Sequence, residues 1–337
     1  MFKVNDIDFF IDSRSKQLYY CNAKDIDNCT IKANRNQKGD TMKNSKNIYT
    51  RCFPEYRLND EDLKKLQNEL LGILVDIKTV CDKYNIDYML CGGTTLGAIR
   101  HKGFIPWDDD VDLMMQRSEF YKFKKAFMEE FPDRYEIAEP LSTPNYYSKM
   151  VKVFKKGTTY VEIPTAGVGG PDMIFVDLFL IENVPAPGLC RKAKAFAYNL
   201  AFRAASVCLD YKYPSLPIIE KSKSVKELKR YYSFRRSVGW FFSLFGRIQS
   251  YMKICELVAN QQDETDWVGI PSDSGYLDRI YPRDLFTHFD EAEFCGYKMK
   301  IPKDYDKYLK AEYGDYMQIP PLEKREIHSA YIINFSE

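Results

Sequence analysis

The sequence lacks several features that would place it in a specialised class of protein. Its nine cysteines are scattered without a C-x-x-C pair, and an odd number in so long a chain argues against a disulfide framework and for reduced thiols. No window approaches about 18 uninterrupted apolar residues, so we expect no transmembrane helix. The N-terminus has acids where a secretion signal would have an apolar run. We therefore predict a cytoplasmic protein.

An excess of charge of one sign is also missing. The 49 Lys and Arg residues nearly balance the 48 Asp and Glu residues, for a net charge of +1. The whole molecule therefore has no electrostatic bias toward nucleic acid, and we predict no nucleic-acid partner. A hydrophobic content of 45% in 337 residues is typical of a globular protein with a sizeable core.

The chain shows no internal repeat, and its patterns change near residue 50. Residues 3–21 contain two short β-like runs around a polar turn, which indicates a small hairpin, and the polar residues 33–47 are typical of a linker. We interpret 1–50 as an N-terminal accessory extension and 51–337 as one larger domain. In that domain, helical periodicity over 63–81 is followed by short strands interleaved with helices, which predicts an α+β fold.

A basic segment interrupts the larger domain. Residues 191–254 hold fourteen Lys or Arg residues against three acids, together with the aromatic run "WFFSLFG". This composition predicts a helical basic insertion over about 190–260, which either contacts an anionic membrane surface or is a solvated helical segment.

Four acids lie within five positions in "FIPWDDDVDLMM", which we expect to form a strand. Side chains two apart in a strand share a face, so Asp108, Asp110 and Asp112 are predicted on one side and Asp109 on the other. Three carboxylates on one face need a counter-charge, and Mg²⁺ (or Mn²⁺) supplies one while leaving positions open for phosphate oxygens. A calcium loop fits poorly because its sixth position requires glycine and here is Leu113. A solvated acidic loop is disfavoured by the apolar residues on both sides.

The residues before the aspartates suit a phosphate. Gly92 and Gly93 follow a predicted buried strand, and a helix is expected to open at Thr94, with its positive end toward an anion. Arg100 and Lys102 add positive charge one helix away, and Lys152 on a later strand is a weaker phosphate candidate. A surface or ion-pair role is the alternative for Arg100 and Lys152.

Asp177 stands in the middle of the apolar strand "IFVDLFLI". A carboxylate there is costly unless it is paired or bound to metal. We interpret it as a further metal ligand or as a general base, with a buried salt bridge as the alternative.

The long run "GGTTLGAIRHKGFIPWDDDVDL" closely resembles the signature of the LicD family. The similarity extends to "IFVDLFLIENVP" and to the C-terminal "IPKDYDKYLKAEYGDYMQIPP" with Arg325 and His328, and so covers most of residues 58–330. One departure is Thr95, where other members often have Leu.

The resemblance implies a nucleotidyltransferase-like fold, with a mixed β-sheet core flanked by helices. It implies metal-binding and catalytic roles for Asp110, Asp112 and Asp177, with Asp108 matching the related fukutin-type pattern. LicD-like enzymes move a phosphoalcohol from a CDP-linked donor to a sugar hydroxyl. We therefore expect transfer of phosphocholine from CDP-choline to a cell-surface glycan of the teichoic acid, lipopolysaccharide or capsule type, at the inner face of the membrane.

Three alternatives remain open at this stage. The donor could carry another alcohol, such as ribitol or glycerol phosphate. The same core could transfer a nucleotide to a small molecule, or the chain could be a binding module that keeps the fold without activity. Choline would be recognised by aromatic faces, for which the residues that we single out are Tyr146, Tyr147, Tyr313 and Tyr316.

Overall fold

The chain divides into two units in the computed structural model, Met1–Arg51 and Cys52–Glu337. The structure describes residues 7–11, 18–22, 48, 51–273, 275–322, 325 and 330–335. In the first unit β1 (Ile7–Ile11) pairs antiparallel with β2 (Leu18–Asn22), so the predicted hairpin is present. The linker predicted over 33–47 lies outside the described residues.

A long amphipathic helix, α1 (Asp60–Tyr84), begins the larger unit. Asn59 caps it by accepting a hydrogen bond from the Asp62 amide at 2.9 Å. The three acids in its first turn interact favourably with the positive end of the helix dipole. Its apolar face is buried in the main core through residues spaced three or four apart, which confirms the predicted helix; these residues are Leu66, Leu70, Ile73, Leu74, Ile77, Val80 and Cys81.

A curled mixed sheet forms the centre of this unit. Its strands are β3 (Met89–Leu90), β4 (Asp112–Gln116), β5 (Tyr135–Ala138), β6 (Val151–Lys155), β8 (Ile174–Val184), β9 (Trp267–Gly269) and β10 (Ile280–Pro282). The main path runs in the order β10, β9, β8, β4, β3, and β6 also pairs with β8 while β5 pairs with β6. The strands β4 and β8 are parallel, whereas β6 and β9 lie antiparallel to β8. The strand β7 (Thr159–Glu162) lies outside this sheet.

Both faces of this sheet are covered. Along β8, Val176 and Leu178 belong to the core that also contains α1 and α3 (Arg117–Glu130). The next residues on the opposite face, Phe179 and Ile181, pack in a second core with α2 (Gly92–His101). Because successive side chains of a strand alternate, this one strand joins the two cores.

The segment after β8 is helical, as its composition predicts. It contains α4 (Leu189–Lys212), α5 (Leu216–Ser222), α6 (Lys226–Ser243) and α7 (Ile248–Ala259). Within the described part of the chain, no helix has the length and apolar character needed to span a membrane.

The remaining elements complete an α+β fold, which confirms the predicted class. The strands β11 (Phe289–Phe294) and β12 (Tyr297–Pro302) form a hairpin, α8 (Tyr305–Tyr313) follows it, and β13 (Ala330–Asn334) pairs with β7. The seven cysteines whose side chains the structure describes are free thiols.

Candidate active site

Two predicted site carboxylates meet across the parallel strand pair. Asp112, the first residue of β4, stands opposite Asp177 of β8 in register. The two strands are joined beside this point by the Asp177 amide, which donates to the Val111 carbonyl at 3.0 Å. Both carboxylates therefore lie at the edge of the site on rigid strands, although they are 65 positions apart in the chain.

The other aspartates lie in a loop, which corrects the predicted strand over 104–115. The strand begins only at Asp112, and the turn before it is closed by the Asp108 amide, which donates to the Ile105 carbonyl at 2.9 Å. Pro106, which cannot donate to a ladder, sits inside that turn. The alternation argument consequently does not apply to Asp108, Asp109 and Asp110.

The predicted placement of Asp109 on the face opposite Asp108 and Asp110 was therefore wrong. Carboxylate oxygens of Asp108, Asp109 and Asp110 all lie within 4.8 Å of one another, and Asp109 is the most buried of the three, at 6% exposed. The four predicted metal ligands thus form two neighbouring groups, with Asp108 and Asp110 in the loop and Asp112 and Asp177 on the strands. Asp109 joins the loop group.

The N-terminus of α2 lies directly against these carboxylates. The helix begins at Gly92, two residues earlier than predicted, so both glycines belong to its first turn. Gly92 has a φ of +49°, and a Cβ atom there would lie 3.3 Å from the Tyr313 hydroxyl and 3.5 Å from Asp112 Oδ2. A Cβ atom on Gly93 would lie 3.1 Å from Asp108 Oδ2. Only glycine keeps this space open between the helix end and the acids.

Hydrogen bonds fix the helix end to the start of β4. The Asp112 amide donates to the Thr94 hydroxyl at 2.8 Å, and the Cys91 amide donates to the Asp112 carbonyl at 2.9 Å. Tyr308 of α8 accepts from the Gly92 amide at 2.8 Å. Thr94, predicted as a phosphate-binding residue, therefore positions Asp112 through its side chain.

Charge repulsion is built into the site. Burial raises the pKa of Asp112 well above its usual range, and the negative charges of Asp110, Asp177 and Asp273 raise it further, whereas Arg279 acts in the opposite direction. A carboxylate with so many acidic neighbours is stabilised by a cation placed among them.

Lys152 is buried, at 4% exposed, and lies beside Asp177. It stands opposite Asp177 in the β6–β8 register, with its Nζ atom 3.8 Å from Asp177 Oδ1 and 2.9 Å from Glu162 Oε2. Burial disfavours its charged form, but the charges of Asp177, Glu162 and Asp112 outweigh burial and raise its pKa. Lys152 is thus a fixed positive charge beside Asp177.

The other two predicted cations are placed differently. Arg100 donates a hydrogen bond through Nη1 to the Tyr316 carbonyl at 2.6 Å, and another through Nε to His101 Nε2 at 2.9 Å. It therefore connects α2 to the segment after α8. Burial lowers the pKa of Arg100, and the nearby charge of Asp108 acts in the opposite direction. Lys102 lies on the exposed surface in a 3.8 Å ion pair with Glu293 of β11. Its pairing gives no support to a phosphate role.

The sequence reasoning missed a buried arginine. Arg279, at 5% exposed, forms ion pairs with Asp273 at 2.9 Å and with Glu312 at 2.7 Å. Its guanidinium approaches Gly92, since a Cβ atom added to that glycine would lie 4.0 Å from Arg279 Nη2. The signal was present in "LDRIYP", where an arginine stands among apolar residues, but only the fold shows that it reaches α2.

Comparisons with known proteins identify relatives. Residues 85–164 match the family described as LicD/FKTN/FKRP, nucleotidyltransferase domain. The lipopolysaccharide cholinephosphotransferase LicD of Haemophilus influenzae is 30% identical over 278 residues, which cover 80% of this chain and 98% of that protein. An uncharacterized protein of Rickettsia prowazekii is 40% identical over 62 residues, which cover 17% of this chain and 23% of that protein. An uncharacterized protein of Rickettsia typhi is 34% identical over 70 residues, which cover 21% of each chain.

Proposed function

Because the chain belongs to the LicD family, as its sequence motif predicts, we propose that it transfers phosphocholine from CDP-choline to a hydroxyl of a cell-surface glycan and releases CMP. The observation that supports this most strongly is the pairing of Asp112 with Asp177 beneath the glycine-rich end of α2. That arrangement combines a cation site with an anion site, as a pyrophosphate donor requires.

The proposed reaction exchanges one phosphorus–oxygen bond for another. The acceptor hydroxyl oxygen bonds to the choline-bearing phosphorus, and the bond from that phosphorus to the bridging oxygen of CMP breaks, so that CMP leaves with the electron pair. The hydroxyl proton passes to a carboxylate of the site, for which Asp177 is the candidate because it is held on a strand beside Asp112. Positioning and charge stabilisation supply most of the catalysis in reactions of this type.

Magnesium or manganese fits the donor set. Asp108, Asp110, Asp112 and Asp177 would hold the ion, since carboxylate oxygens are the ligands that these hard cations prefer. Burial raises the pKa of Asp112 and the charges of neighbouring acids raise it further, an effect that a bound cation would offset. When bound, such an ion neutralises phosphate charge in the donor. Asp109 is close enough to the loop aspartates to contribute as well.

The donor phosphates are proposed to lie against the first turn of α2. The amides of this turn, with the positive end of the helix dipole, suit phosphate oxygens. Lys152 supplies a fixed charge from the adjacent strand. Arg100 is proposed to act indirectly, by holding the segment around Tyr316 against α2.

The acceptor proposed first is lipopolysaccharide, because the Haemophilus relative carries that substrate in its name. Teichoic acid and capsule acceptors, and donors with ribitol or glycerol phosphate, are the alternatives within the same chemistry. Incubation with a panel of CDP-alcohols, Mg²⁺ and each acceptor, with CMP as the readout, separates them. Release of pyrophosphate from a nucleoside triphosphate would instead support nucleotidyl transfer.

The helical insertion is proposed to dock on an anionic membrane that carries the acceptor. Large apolar side chains are exposed along α6 and at its end, led by Phe245 at 71% and Phe234 at 68% exposed, with Trp240, Phe241 and Leu244 beside them. Exposed basic residues flank this set, and they are Lys226, Lys229, Arg230 and Arg247. An apolar face bordered by cations is typical of helices that lie in a membrane interface, where anionic lipid headgroups complement the cations.

A further inference from the structure

A small cavity opens beside the candidate active site. It encloses about 190 Å³, and Lys152 and Phe175 form part of its wall. Lys152 stands opposite Asp177 in the strand register, so the cavity lies on the face of the sheet that carries this aspartate. It is large enough for a small organic group, and its wall includes Lys152, which is proposed to contact the donor phosphates.

The wall of the cavity is aromatic and firmly packed. Phe175 makes edge contacts with Phe154 and with Tyr160, each at 5.6 Å between ring centroids. The Tyr146 hydroxyl donates to the Met150 carbonyl at 2.8 Å, which fixes that ring. Tyr147 completes the wall and stacks on Tyr213 of the helical insertion at 5.6 Å.

This wall already holds one ammonium group. Lys152 Nζ lies 3.3 Å from the centroid of the Phe175 ring and 2.9 Å from Glu162 Oε2. An ammonium between an aromatic face and a carboxylate is the arrangement by which proteins bind organic cations. The chemistry of the wall therefore suits a second cation of the same class.

The charge of the cavity is negative. Its charged lining residues are Lys152, Glu162 and Asp172, one cation against two acids. Burial raises the pKa of the Asp172 carboxyl, and the negative charge of Glu162 raises it further. A second cation in the cavity would relieve this repulsion.

The cavity lies close to the proposed site of phosphoryl transfer. Glu162 and Asp177 contact the same Lys152 ammonium, so a single ammonium group separates the cavity acid from the active-site acid. Burial raises the pKa of Tyr160 in the cavity wall, and the nearby charges of Asp109 and Asp110 raise it further. The short two-carbon chain that joins phosphate to nitrogen in phosphocholine suits such a separation.

A larger cavity of about 540 Å³ lies among α3, α4, α7 and the end of β8. It also contains aromatic and acidic residues, but its acids have cationic partners. Glu182 and Glu256 both bind Arg117, and Glu139 binds Lys124. Lys152, which lies beside Asp177, is absent from the wall of this larger cavity.

We propose that the small cavity formed by Tyr146, Tyr147, Phe175, Glu162 and Asp172 binds the quaternary ammonium group of the donor. This inference rests on the proposed function and deepens it, since it assigns the residues that select a cationic alcohol over a neutral one. Asp172 supplies the charge and Tyr147 supplies an aromatic face at the border with the helical insertion.

The test compares two donors that differ only in charge. CDP-choline and its uncharged analogue CDP-3,3-dimethylbutanol, in which carbon replaces nitrogen, are supplied with lipopolysaccharide and Mg²⁺, and the ratio of their kcat/KM values is measured by CMP release. The wild-type protein is expected to prefer CDP-choline. Asp172→Asn and Tyr147→Leu are each expected to lower the ratio about five- to thirtyfold, whereas Tyr147→Phe keeps the aromatic face and most of the preference.

Glu139→Gln in the larger cavity is the matched control and is expected to leave the ratio unchanged. The assignment is overturned if Glu139→Gln lowers this kcat/KM ratio while Asp172→Asn does not. It is also overturned if the ratio measured for Asp172→Asn equals that of the wild-type protein. Failure of the proposed function has a different signature, since the wild-type protein would then release CMP from neither donor. Circular dichroism of each variant checks that it is folded.

Discussion

Asp112 of β4 and Asp177 of β8 stand opposite each other in a parallel strand pair, with the first turn of α2 packed against Asp112. The strand pairing and the packed end of α2 fix the positions of these two residues. Ionisation of Asp112 in the folded protein has a free-energy cost, because burial raises its pKa and the negative charges of Asp110, Asp177 and Asp273 raise it further. It links the stability of the protein to its proposed chemistry.

Asp112→Asn is expected to separate these two properties. The folded protein favours protonated Asp112, so this contribution to stability is present at low pH and is lost as the pH rises through the raised pKa. At neutral pH in EDTA the uncharged amide should therefore raise the melting temperature by a few degrees, since about 1 kcal/mol corresponds to roughly 2–4 °C. Transfer activity should fall by about 10²- to 10³-fold or more.

Thermal melting in EDTA at pH 5 and pH 8, with and without Mg²⁺, checks this prediction. Wild type should gain stability from Mg²⁺, and Asp112→Asn should gain less. Asp133→Asn, at an exposed position, is the matched control and should change neither property. A variant that melts below wild type in EDTA at pH 8 would contradict the account.

Gly92→Ala is expected to damage the site more than the fold. A residue with a side chain costs about 1–2 kcal/mol at the positive φ of Gly92, and its Cβ atom would lie against Asp112 and Tyr313. We expect a loss of transfer activity of about tenfold or more, with a lower melting temperature. Gly72→Ala in α1, where no atom lies within 4 Å of the new Cβ, should stabilise the protein by up to about 1 kcal/mol and retain activity. Equal activity of the two variants would contradict the close approach described for Gly92.

Arg279→Gln is expected to destabilise the protein strongly. It leaves Asp273 and Glu312 without their shared buried cation, and removing one partner of a buried pair costs about 3–5 kcal/mol. The control is Arg134→Gln, which breaks a half-exposed 2.8 Å pair with Asp76 and should cost no more than about 1 kcal/mol. Urea unfolding curves measure both values, and similar costs would show that the Arg279 cluster is not structural.

The membrane proposal predicts two separable losses. Phe241→Ser with Phe245→Ser should weaken binding to all vesicles, because it removes exposed apolar surface from the insertion. Lys229→Gln with Arg230→Gln should weaken binding only to anionic vesicles, by about 1 kcal/mol for each charge removed.

Co-sedimentation with phosphatidylcholine vesicles, with and without phosphatidylglycerol, measures these effects. Tyr297→Ser, at an exposed position on the β11–β12 hairpin, is the control. If the wild-type protein shows no preference for anionic vesicles, the insertion is a solvated helical segment.

The sequence predicted the long elements around the candidate site better than the loop that carries three of its aspartates. The apolar run "IFVDLFLI" places Asp177 correctly in β8 because that strand is long and continuous. The same argument fails for Asp108 and Asp109, since four acids and a proline favour a loop over a strand, and local periodicity does not register that preference. The α2 start at Gly92 was missed because glycine is a weak helix former whose place here depends on tertiary packing.

Contacts between distant segments were beyond reach of any local pattern. Arg279 approaches Gly92 across 187 positions of chain, and Lys152 finds Glu162 and Asp177 only after β6 has paired with β8. The tyrosines proposed for choline illustrate the same limit. Tyr146 and Tyr147 line the small cavity. The Tyr313 hydroxyl lies near Gly92 at the N-terminus of α2, and the Tyr316 carbonyl accepts a hydrogen bond from Arg100.

The most direct test of the central claim follows the phosphorus atom of the donor. CDP-choline labelled with ³²P in the choline-bearing phosphate is incubated with the wild-type protein, Mg²⁺ and lipopolysaccharide, and the glycan and nucleotide products are separated. We predict that the amount of label that enters the glycan equals the amount of unlabelled CMP released, and that Asp112→Asn lowers both by about 10²- to 10³-fold or more. Label that stays with the nucleotide, or CMP release without labelled glycan for every acceptor tested, would contradict phosphocholine transfer.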